Sequence, residues 1–192
     1  MRRDGQDYGL RTNGLHACLK AGTAAWHERV DASLSRLDLA RGEDYARFLS
    51  LHERTTLPIE HELEDAGIGQ VLADWPARRR SAALLADMEV MRIPHSALRL
   101  DMGPLRGLAQ LAGAAYVLEG SRLGGRILAR QVAEGYPAAF LSHGAEARLW
   151  GSFLDWMDTL QLSPRETGEA VETAKHVFRL YEAASASSEV VK

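Results

Sequence analysis

The chain has 192 residues, of which 46% are hydrophobic, 26% are charged and 7% are aromatic, and its formal net charge is −3. This length suits one domain with a hydrophobic core, and the slightly acidic balance argues against a nucleic-acid-binding protein, which usually carries a basic face. The single cysteine, Cys18, excludes an intramolecular disulfide and a cysteine-based zinc site.

Helical periodicity dominates the sequence, so we predict one all-α domain over residues 13–184. Residues 1–12 are expected to be a loose segment and residues 185–192 a frayed tail. The first helix is predicted from Asn13, its N-cap, to about Leu37. Apolar and small residues recur there at spacings of three and four, as one buried stripe requires: Leu15, Leu19, Thr23, Trp26, Val30 and Leu34.

A second helix is predicted from about Glu43, with Pro58 kinking it or splitting it in two. Gly67 and Gly69 end this segment, and a third helix is expected over residues 77–91. The short basic run at its start, Arg78-Arg79-Arg80, is interpreted as a solvated helix start.

The second half of the chain is predicted to begin with a loop over residues 94–103, followed by Pro104 as a first-turn residue. The longest helix is expected over 105–134 and another over 145–160. A last helix is predicted to run to about Ala184, because Ser163, Pro164 and Glu166 form a capping-box start. No apolar run is long enough to span a bilayer and the N-terminal residues lack a signal-peptide pattern, so we expect a cytoplasmic protein without membrane association.

The stretch 116–128 places three glycines within six residues of a predicted helix. Each glycine weakens a helix interior by about 1 kcal/mol relative to alanine, so this arrangement needs a compensating reason. Gly120 and Gly124 are four residues apart and share a face, which leaves a strip of bare backbone that a flat ligand could approach closely. Close helix–helix packing, or a turn between two shorter helices, is the alternative interpretation.

His27 and Asp31 lie four residues apart on the first predicted helix. A carboxylate at this spacing reaches one ring nitrogen, fixes the tautomer and leaves the other nitrogen free as a metal ligand. Thr23 lies one turn earlier, and Lys20 falls on the same face about 10 Å along the axis from His27. An ordinary surface pair is the alternative interpretation of His27 and Asp31. Other histidines offer competing sites: His16, His52, His61 and His176.

The spacing of the histidines argues against two classes of metal enzyme. No Glu-x-x-His pattern is present, which argues against a carboxylate di-iron bundle. No His-x-x-x-His pair is present either, which argues against a zinc peptidase. If a metal is bound, one histidine holds it within a cofactor that supplies the remaining ligands, a description that fits haem.

Together these two segments resemble the haem oxygenase family. Leu19, Lys20, Thr23, His27 and Asp31 match the family's proximal-helix pattern, and Tyr116 through Gly125 match its distal-helix pattern, Tyr-Val-Leu-Glu-Gly-Ser-x-Leu-Gly-Gly. The distal-helix motif most resembles the bacterial branch associated with bacteriophytochromes. The segment Asp74-Trp75-Pro76 also fits that branch. The order of elements fits over roughly residues 13–184. The resemblance implies a single-domain, multi-helical fold with haem between a proximal and a kinked distal helix.

The resemblance also implies roles for individual residues. His27 becomes the proximal iron ligand, oriented by Asp31, and Lys20 pairs with a haem propionate. Tyr116 and Thr23 belong to the two matched helices that bind the cofactor. The glycines of the distal helix, with Ser121 between them, become the catalytic wall facing the open side of the haem: Gly120, Gly124 and Gly125. Lys175 and Arg179 on the last helix are candidates for further propionate contacts, although a solvated face explains them equally well.

Ser121 departs from the pattern of many family members, which carry an aspartate there to organise water that delivers protons. A serine hydroxyl holds a water but does not relay protons as a carboxylate does. The bacteriophytochrome-linked branch tolerates serine, so proton delivery is expected to use ordered water held by backbone groups or by a distant side chain.

The implied reaction is oxidative cleavage of haem, as both cofactor and substrate, to biliverdin, ferrous iron and CO. It uses O2 and electrons from a ferredoxin or a reductase, and a bacteriophytochrome is a candidate receiver of the product. A non-catalytic haem carrier or sensor with the same fold is the main alternative, because of Ser121. A thiaminase-like hydrolase is a third hypothesis that would require Cys18 as nucleophile.

Overall fold

The computed structural model describes residues 14–145 and 148–188. Within these residues the chain forms nine helices and no strand: α1 Leu15–Leu34, α2 Gly42–Asp65, α3 Ile68–Val71, α4 Trp75–Arg78, α5 Ser81–Val90, α6 Gly107–Leu128, α7 Ala139–Ser142, α8 Leu149–Thr159 and α9 Pro164–Ser188. The all-α class predicted from helical periodicity is confirmed. None of the described helices combines the length and the apolar character needed to cross a bilayer.

The long helices α1, α6 and α9 form the centre of the fold, with α9 packed against both others. α1 and α9 run in the same direction, because Gly22 lies beside Val171 and, further along, Ser33 bonds Ser185. α6 crosses α9 at Gly113, where a Cβ atom would collide with the backbone of Ala170. The missing side chain of Gly113 therefore permits the close crossing that fixes α6.

The buried side chains form two clusters. The larger lies among α1, α6, α8 and α9 and includes Leu19, Leu111, Leu118, Phe153 and Phe178. The smaller joins α2, α5 and α7 and includes Tyr45, Phe48, Leu84, Met88 and Phe140. The α6 members of the larger cluster lie between Ala109 and Leu118, so apolar packing holds the first half of α6 against its neighbours.

The helix α2 continues through Pro58, so the predicted split does not occur. A proline inside a helix leaves the carbonyl four residues earlier without its usual donor. Here that carbonyl, of Arg54, accepts a hydrogen bond from the backbone amide of Leu100 at 3.4 Å. The loop before α6 therefore compensates for the proline.

The predicted helix over 77–91 is wrong in its first part, because the chain breaks between α4 and α5. Arg79 has extended backbone (φ −60°, ψ 133°), which ends α4. The interpretation of the basic run as solvated is also wrong for two of its members: Arg78 is 1% and Arg80 4% exposed. The break turns both side chains inward, where buried acceptors replace water.

Helix α6 begins later and ends earlier than the predicted 105–134. Arg106 is extended and Gly107 has φ +75°, a conformation that favours glycine. Pro104 therefore belongs to the loop, and its assignment to the first turn is wrong. At the other end α6 stops at Leu128.

The short helix α7 has no counterpart in the sequence prediction. The carboxylate of Asp87 on α5 accepts hydrogen bonds from the amides of Ala139 (3.2 Å) and Phe140 (2.8 Å) at its start. Because these acceptors come from another helix, local sequence gives little sign of α7.

The remaining helices follow their predictions with shifted ends. α1 stops three residues before Leu37, and its predicted cap, Asn13, lies outside the described residues. α8 begins at Leu149 instead of residue 145. The capping box that starts α9 is confirmed, since the Ser163 amide donates to the Glu166 carboxylate at 2.8 Å. α9 continues four residues beyond Ala184, so the first part of the predicted frayed tail is helical.

Candidate functional site

Helices α1 and α6 are in contact at Tyr116, which meets Thr23 and His16 of α1. The side chains of Thr23 and Tyr116 share a hydrogen bond, and burial of the phenol raises the pKa of Tyr116. Thr23 is itself fixed, because its hydroxyl donates to the carbonyl of Leu19 at 2.7 Å. The ring of His16 packs against Tyr116 on one side of this contact, with centroids 6.1 Å apart.

Beyond this contact each helix carries a stripe of residues at helical spacing. On α1 the stripe runs from Thr23 to His27 and Asp31 at intervals of four residues. On α6 the stripe that begins at Tyr116 continues through residues spaced by three and four: Gly120, Leu123, Gly124 and Ile127. Among the described residues, no hydrogen bond, ion pair or ring contact joins the His27–Asp31 turn to α6. We call the space between these stripes the α1–α6 cleft.

His27 and Asp31 have the geometry that their spacing predicts. The Nδ1 atom of His27 lies 2.9 Å from the Oδ2 atom of Asp31, and both side chains are largely exposed. The ring of His27 also packs edge-on against Phe178 of α9, with centroids 6.0 Å apart. These two contacts fix the ring and engage Nδ1, which leaves Nε2 as the available ligand atom.

A second helical His–Asp pair shows that this geometry alone does not identify a metal ligand. His61 and Asp65 on α2 have the same spacing, a 3.6 Å separation and similar exposure. His27 differs from His61 because His27 lies one helical turn after Thr23, which contacts Tyr116 of the glycine-bearing helix α6. The surroundings, more than the pair itself, therefore mark His27 as a candidate ligand.

The α6 side of the cleft is apolar and bare. A Cβ atom added at Gly124 would meet nothing within 4 Å, and one added at Gly120 would only touch the ring of Trp150 at 3.8 Å. The large side chains beside them, Leu123 and Ile127, are 48% and 63% exposed. An exposed apolar helix face of this kind is typical of a binding surface.

Gly125 differs from the other two glycines, and here the structure corrects the sequence interpretation. It is buried, and a Cβ atom on it would lie 3.0 Å from the carbonyl oxygen of Leu141 on α7. Gly125 therefore permits close packing of α6 against α7 and does not face the cleft. The interpretation as close helix packing therefore holds for Gly125, and the interpretation as a ligand-facing strip stays a prediction for Gly120 and Gly124.

Ser121 lies on the inner side of α6, where protein groups already engage its hydroxyl. It donates to the carbonyl of Leu118 at 2.8 Å and accepts from the guanidinium of Arg80 at 2.7 Å. One lone pair of the hydroxyl remains for a water molecule. The Nε atom of Arg80 is buried without a hydrogen-bond partner, so this guanidinium has an unused donor beside Ser121.

Buried His52 stands near Arg80 and stays neutral at physiological pH. Its Nδ1 atom donates to the carbonyl of Phe48 at 2.8 Å. Burial, assisted by the charge of Arg80, lowers the pKa of His52 to about 4. The sequence analysis gave no role to Arg80; an arginine close to apolar residues was its only signal.

The predicted cationic residues lie at different distances from this cleft. Lys20 is exposed on α1, seven residues before His27. Lys175 bonds Glu172 on its own helix at 2.8 Å, and the guanidinium of Arg179 lies 5.6 Å from the ring centre of Trp26. Lys20 thus keeps the predicted relation to His27, whereas Lys175 and Arg179 make contacts within α9 and with α1.

The donor set and shape of the cleft fit haem. Haem iron is bound by neutral imidazole in several families, and His27 offers one from an ordered ring. The macrocycle is flat and apolar, as is the face formed by Gly120, Leu123, Gly124 and Ile127. At Gly124 a Cβ atom would meet no protein atom within 4 Å, so this side of α6 is open.

Comparisons with known proteins agree with this interpretation. The family model described as Heme oxygenase matches residues 13–186. A heme oxygenase of Xanthomonas campestris pv. campestris is 36% identical over 95 residues, which cover 50% of this chain and 56% of that protein. The aligned region thus spans little more than half the length of that relative. Heme oxygenase PigA of Pseudomonas aeruginosa is 24% identical over 168 residues, covering 81% of this chain and 83% of that protein.

Solved structures show the same fold. Heme oxygenase from Neisseria meningitidis, determined with NO and CO bound, superposes with a TM-score of 0.78 at 21% identity, covering 92% of each chain. Heme oxygenase from Leptospira interrogans gives a TM-score of 0.70 at 22% identity, covering 91% of this chain and 99% of that one. The fold and family predicted from the two helix motifs are confirmed: this chain belongs to the haem oxygenase family.

Proposed function

We propose that this chain binds haem in the α1–α6 cleft and cleaves it oxidatively to biliverdin, ferrous iron and carbon monoxide. The observation that carries this proposal is that the two matched motifs lie on helices in contact at Thr23 and Tyr116, with the His27–Asp31 pair on α1 and the open glycine positions 120 and 124 on α6. When bound, haem supplies both the iron that activates oxygen and the porphyrin carbon that is oxidised.

His27 and Asp31 would form the proximal side of the site. With Asp31 accepting the Nδ1 proton, the imidazole is a neutral ligand held in one tautomer and one orientation. Phe178 limits rotation of the ring from the α9 side. A neutral imidazole suits oxidation of the porphyrin edge, whereas a thiolate would favour O–O cleavage.

Gly120 and Gly124 would form the distal side, where they let the α6 backbone approach the bound ring. Backbone groups and the apolar side chains Leu123 and Ile127 exclude bulk water without supplying a titratable group. Ser121 and Arg80 are placed to hold one ordered water on the inner side of α6, through the free lone pair and the unused Nε donor. This arrangement would replace the carboxylate relay that Ser121 lacks.

Lys20 is the best-placed cation for a propionate, because it lies on the same face of α1 as His27. Arg179 remains a second candidate only if its side chain leaves Trp26, and Lys175 only if it leaves Glu172. Tyr116 and Thr23 would define the closed end of the cleft, since their contact joins the two helices there.

The reaction requires O2 and electrons, which we assign to a ferredoxin or a reductase. We further propose that the chain works in the cytoplasm, where such donors are kept reduced, and that a bacteriophytochrome receives the biliverdin. The support for a bacteriophytochrome as partner is the resemblance of the distal-helix motif to the branch of the family that is associated with these proteins.

The experiment is a haemin titration of the parent chain, His27→Ala and His61→Ala, followed by reduction with a ferredoxin system. His61→Ala is a matched control, because it removes the other exposed histidine with a helical aspartate partner. We expect His27→Ala alone to lose the Soret spectrum of the histidine-ligated complex. The parent and the control should then form biliverdin.

The outcomes separate the alternatives. Haem that binds through His27 but persists intact with a competent donor would indicate a carrier or sensor. Binding that is unaffected by His27→Ala would refute the proposed ligand. Cys18→Ser should leave haem turnover unchanged, and a hydrolytic activity lost in that variant would support a thiaminase-like function instead.

A further inference from the structure

Arg78, the last residue of α4, contacts both α6 and α8 through its guanidinium. Its side chain is completely buried. Its five N–H donors have five acceptors on three helices or their flanking residues. These are both carboxylate oxygens of Asp74 (2.6 and 2.7 Å), Glu119 (2.5 Å), the Leu149 carbonyl (2.9 Å) and Ser152 (2.8 Å).

The contacts of Arg78 close into a loop through α6. Arg78 donates to Glu119, Glu119 also accepts from Arg122 at 2.8 Å, and Arg122 donates to the backbone carbonyl of Arg78. With Asp74 included, whose side chain is 43% exposed, two guanidinium groups face two carboxylates in this loop. A guanidinium fork that is fully paired allows little movement of the groups it joins.

This loop holds α6 at the point where the helix is weakest. Glu119 immediately precedes Gly120, and both Gly120 and Gly124 lower the intrinsic stability of the helix. Glu119 and Arg122 are buried, whereas Gly120 faces only the ring of Trp150 on α8 at 3.8 Å and Gly124 has nothing within 4 Å of its open side. The inward anchor therefore opposes any shift of α6 into the cleft.

We propose that Arg78 is a positioning residue that sets the distance of the glycine-bearing part of α6 from the haem site. This inference rests on the proposed function for its consequence, the geometry of the haem pocket, but the anchoring of α6 is testable without haem. Lysine at position 78 has no planar fork and cannot satisfy acceptors on all three helices.

The experiment compares Arg78→Lys, Glu119→Gln and Ser152→Ala with Arg79→Met. Arg79 is a matched control, because this adjacent arginine is about half exposed and pairs with Glu64 at 2.6 Å. Hydrogen exchange of the haem-free full chain is followed along α6. The reduced haem complex is probed with carbon monoxide, and its C–O stretching band reports the distal pocket.

We expect Arg78→Lys and Glu119→Gln to raise exchange over residues 120–128 by about tenfold while exchange in α9 stays within about twofold of the parent. The C–O band should shift or split, with haemin affinity retained within about threefold, because His27 is untouched. Ser152→Ala removes one acceptor only and should give a smaller change in the same direction. Arg79→Met should match the parent in every measurement.

Three results would overturn the inference. One is α6 exchange and a C–O band in Arg78→Lys and Glu119→Gln that equal those of the parent. Another is exchange accelerated equally in α6 and α9, which would make Arg78 a source of general stability. If Arg78→Lys and Glu119→Gln fail to fold, α6 exchange and a C–O band in Ser152→Ala that equal those of the parent would refute the inference. A parent chain that forms no biliverdin would refute the proposed function alone, since the exchange measurement uses no haem.

Discussion

Replacing Gly124 by alanine should stabilise the haem-free protein and weaken its haem complex. A Cβ atom at this position meets nothing within 4 Å, so the substitution creates no clash in the haem-free chain. Alanine is about 1 kcal/mol better than glycine in a helix interior. For a domain of this size, that gain raises the melting temperature by roughly 2–4 °C.

The same methyl group would project into the space assigned to haem. Inserting a methyl group into a packed contact typically costs about 1–3 kcal/mol, which corresponds to roughly 5- to 160-fold weaker haemin binding. Differential scanning calorimetry of the haem-free chain and a haemin titration measure the two effects separately.

Gly168→Ala is the matched control, because Gly168 is an exposed helical glycine of α9 that also has nothing within 4 Å. It should raise the melting temperature similarly and leave haemin affinity unchanged. If Gly124→Ala binds haemin as tightly as Gly168→Ala, the bare face of α6 is not a wall of the haem site, and the reasoning behind the proposed site is refuted.

Three further predictions follow from other contacts. His52 is neutral in the folded chain with a pKa near 4, against 6.5 when unfolded, so the unfolded state gains the proton first as pH falls. The free energy of unfolding should therefore decrease by about 3 kcal/mol between pH 6.5 and 4 on account of this group. Urea unfolding of His52→Asn should show a free energy that depends less steeply on pH. The same pH dependence in the parent and the variant would contradict the lowered pKa of His52. Gly113→Ala should lower the free energy of unfolding by about 2 kcal/mol, because its methyl group collides with the Ala170 backbone; an unaltered denaturation midpoint would show that α6 and α9 separate freely. Lys20→Met should weaken haemin binding by roughly 2- to 10-fold without altering the Soret maximum. If salt changes the haemin affinity of neither the parent nor this variant, Lys20 does not pair with a propionate.

Local sequence patterns predicted much of the fold. Spacings of three and four predicted the long helices, and the Ser163–Glu166 box located the start of α9, because these signals depend only on neighbours within one or two turns. The ends were less accurate where distant groups decide them. Asp87 caps α7 from another helix, and the amide of Leu100 takes over the carbonyl that Pro58 leaves free.

By itself, the sequence determined the helical class, the family motifs and the pairing of His27 with Asp31, since each depends on spacing along one helix. Only the tertiary structure separated Gly124, which borders the cleft, from Gly125, which packs on α7. The burial of the Arg78 side chain was also visible only in the tertiary structure. A one-residue step rotates a helical position by about 100°, so neighbours with the same local pattern face different partners, and only the packing of the whole chain decides which.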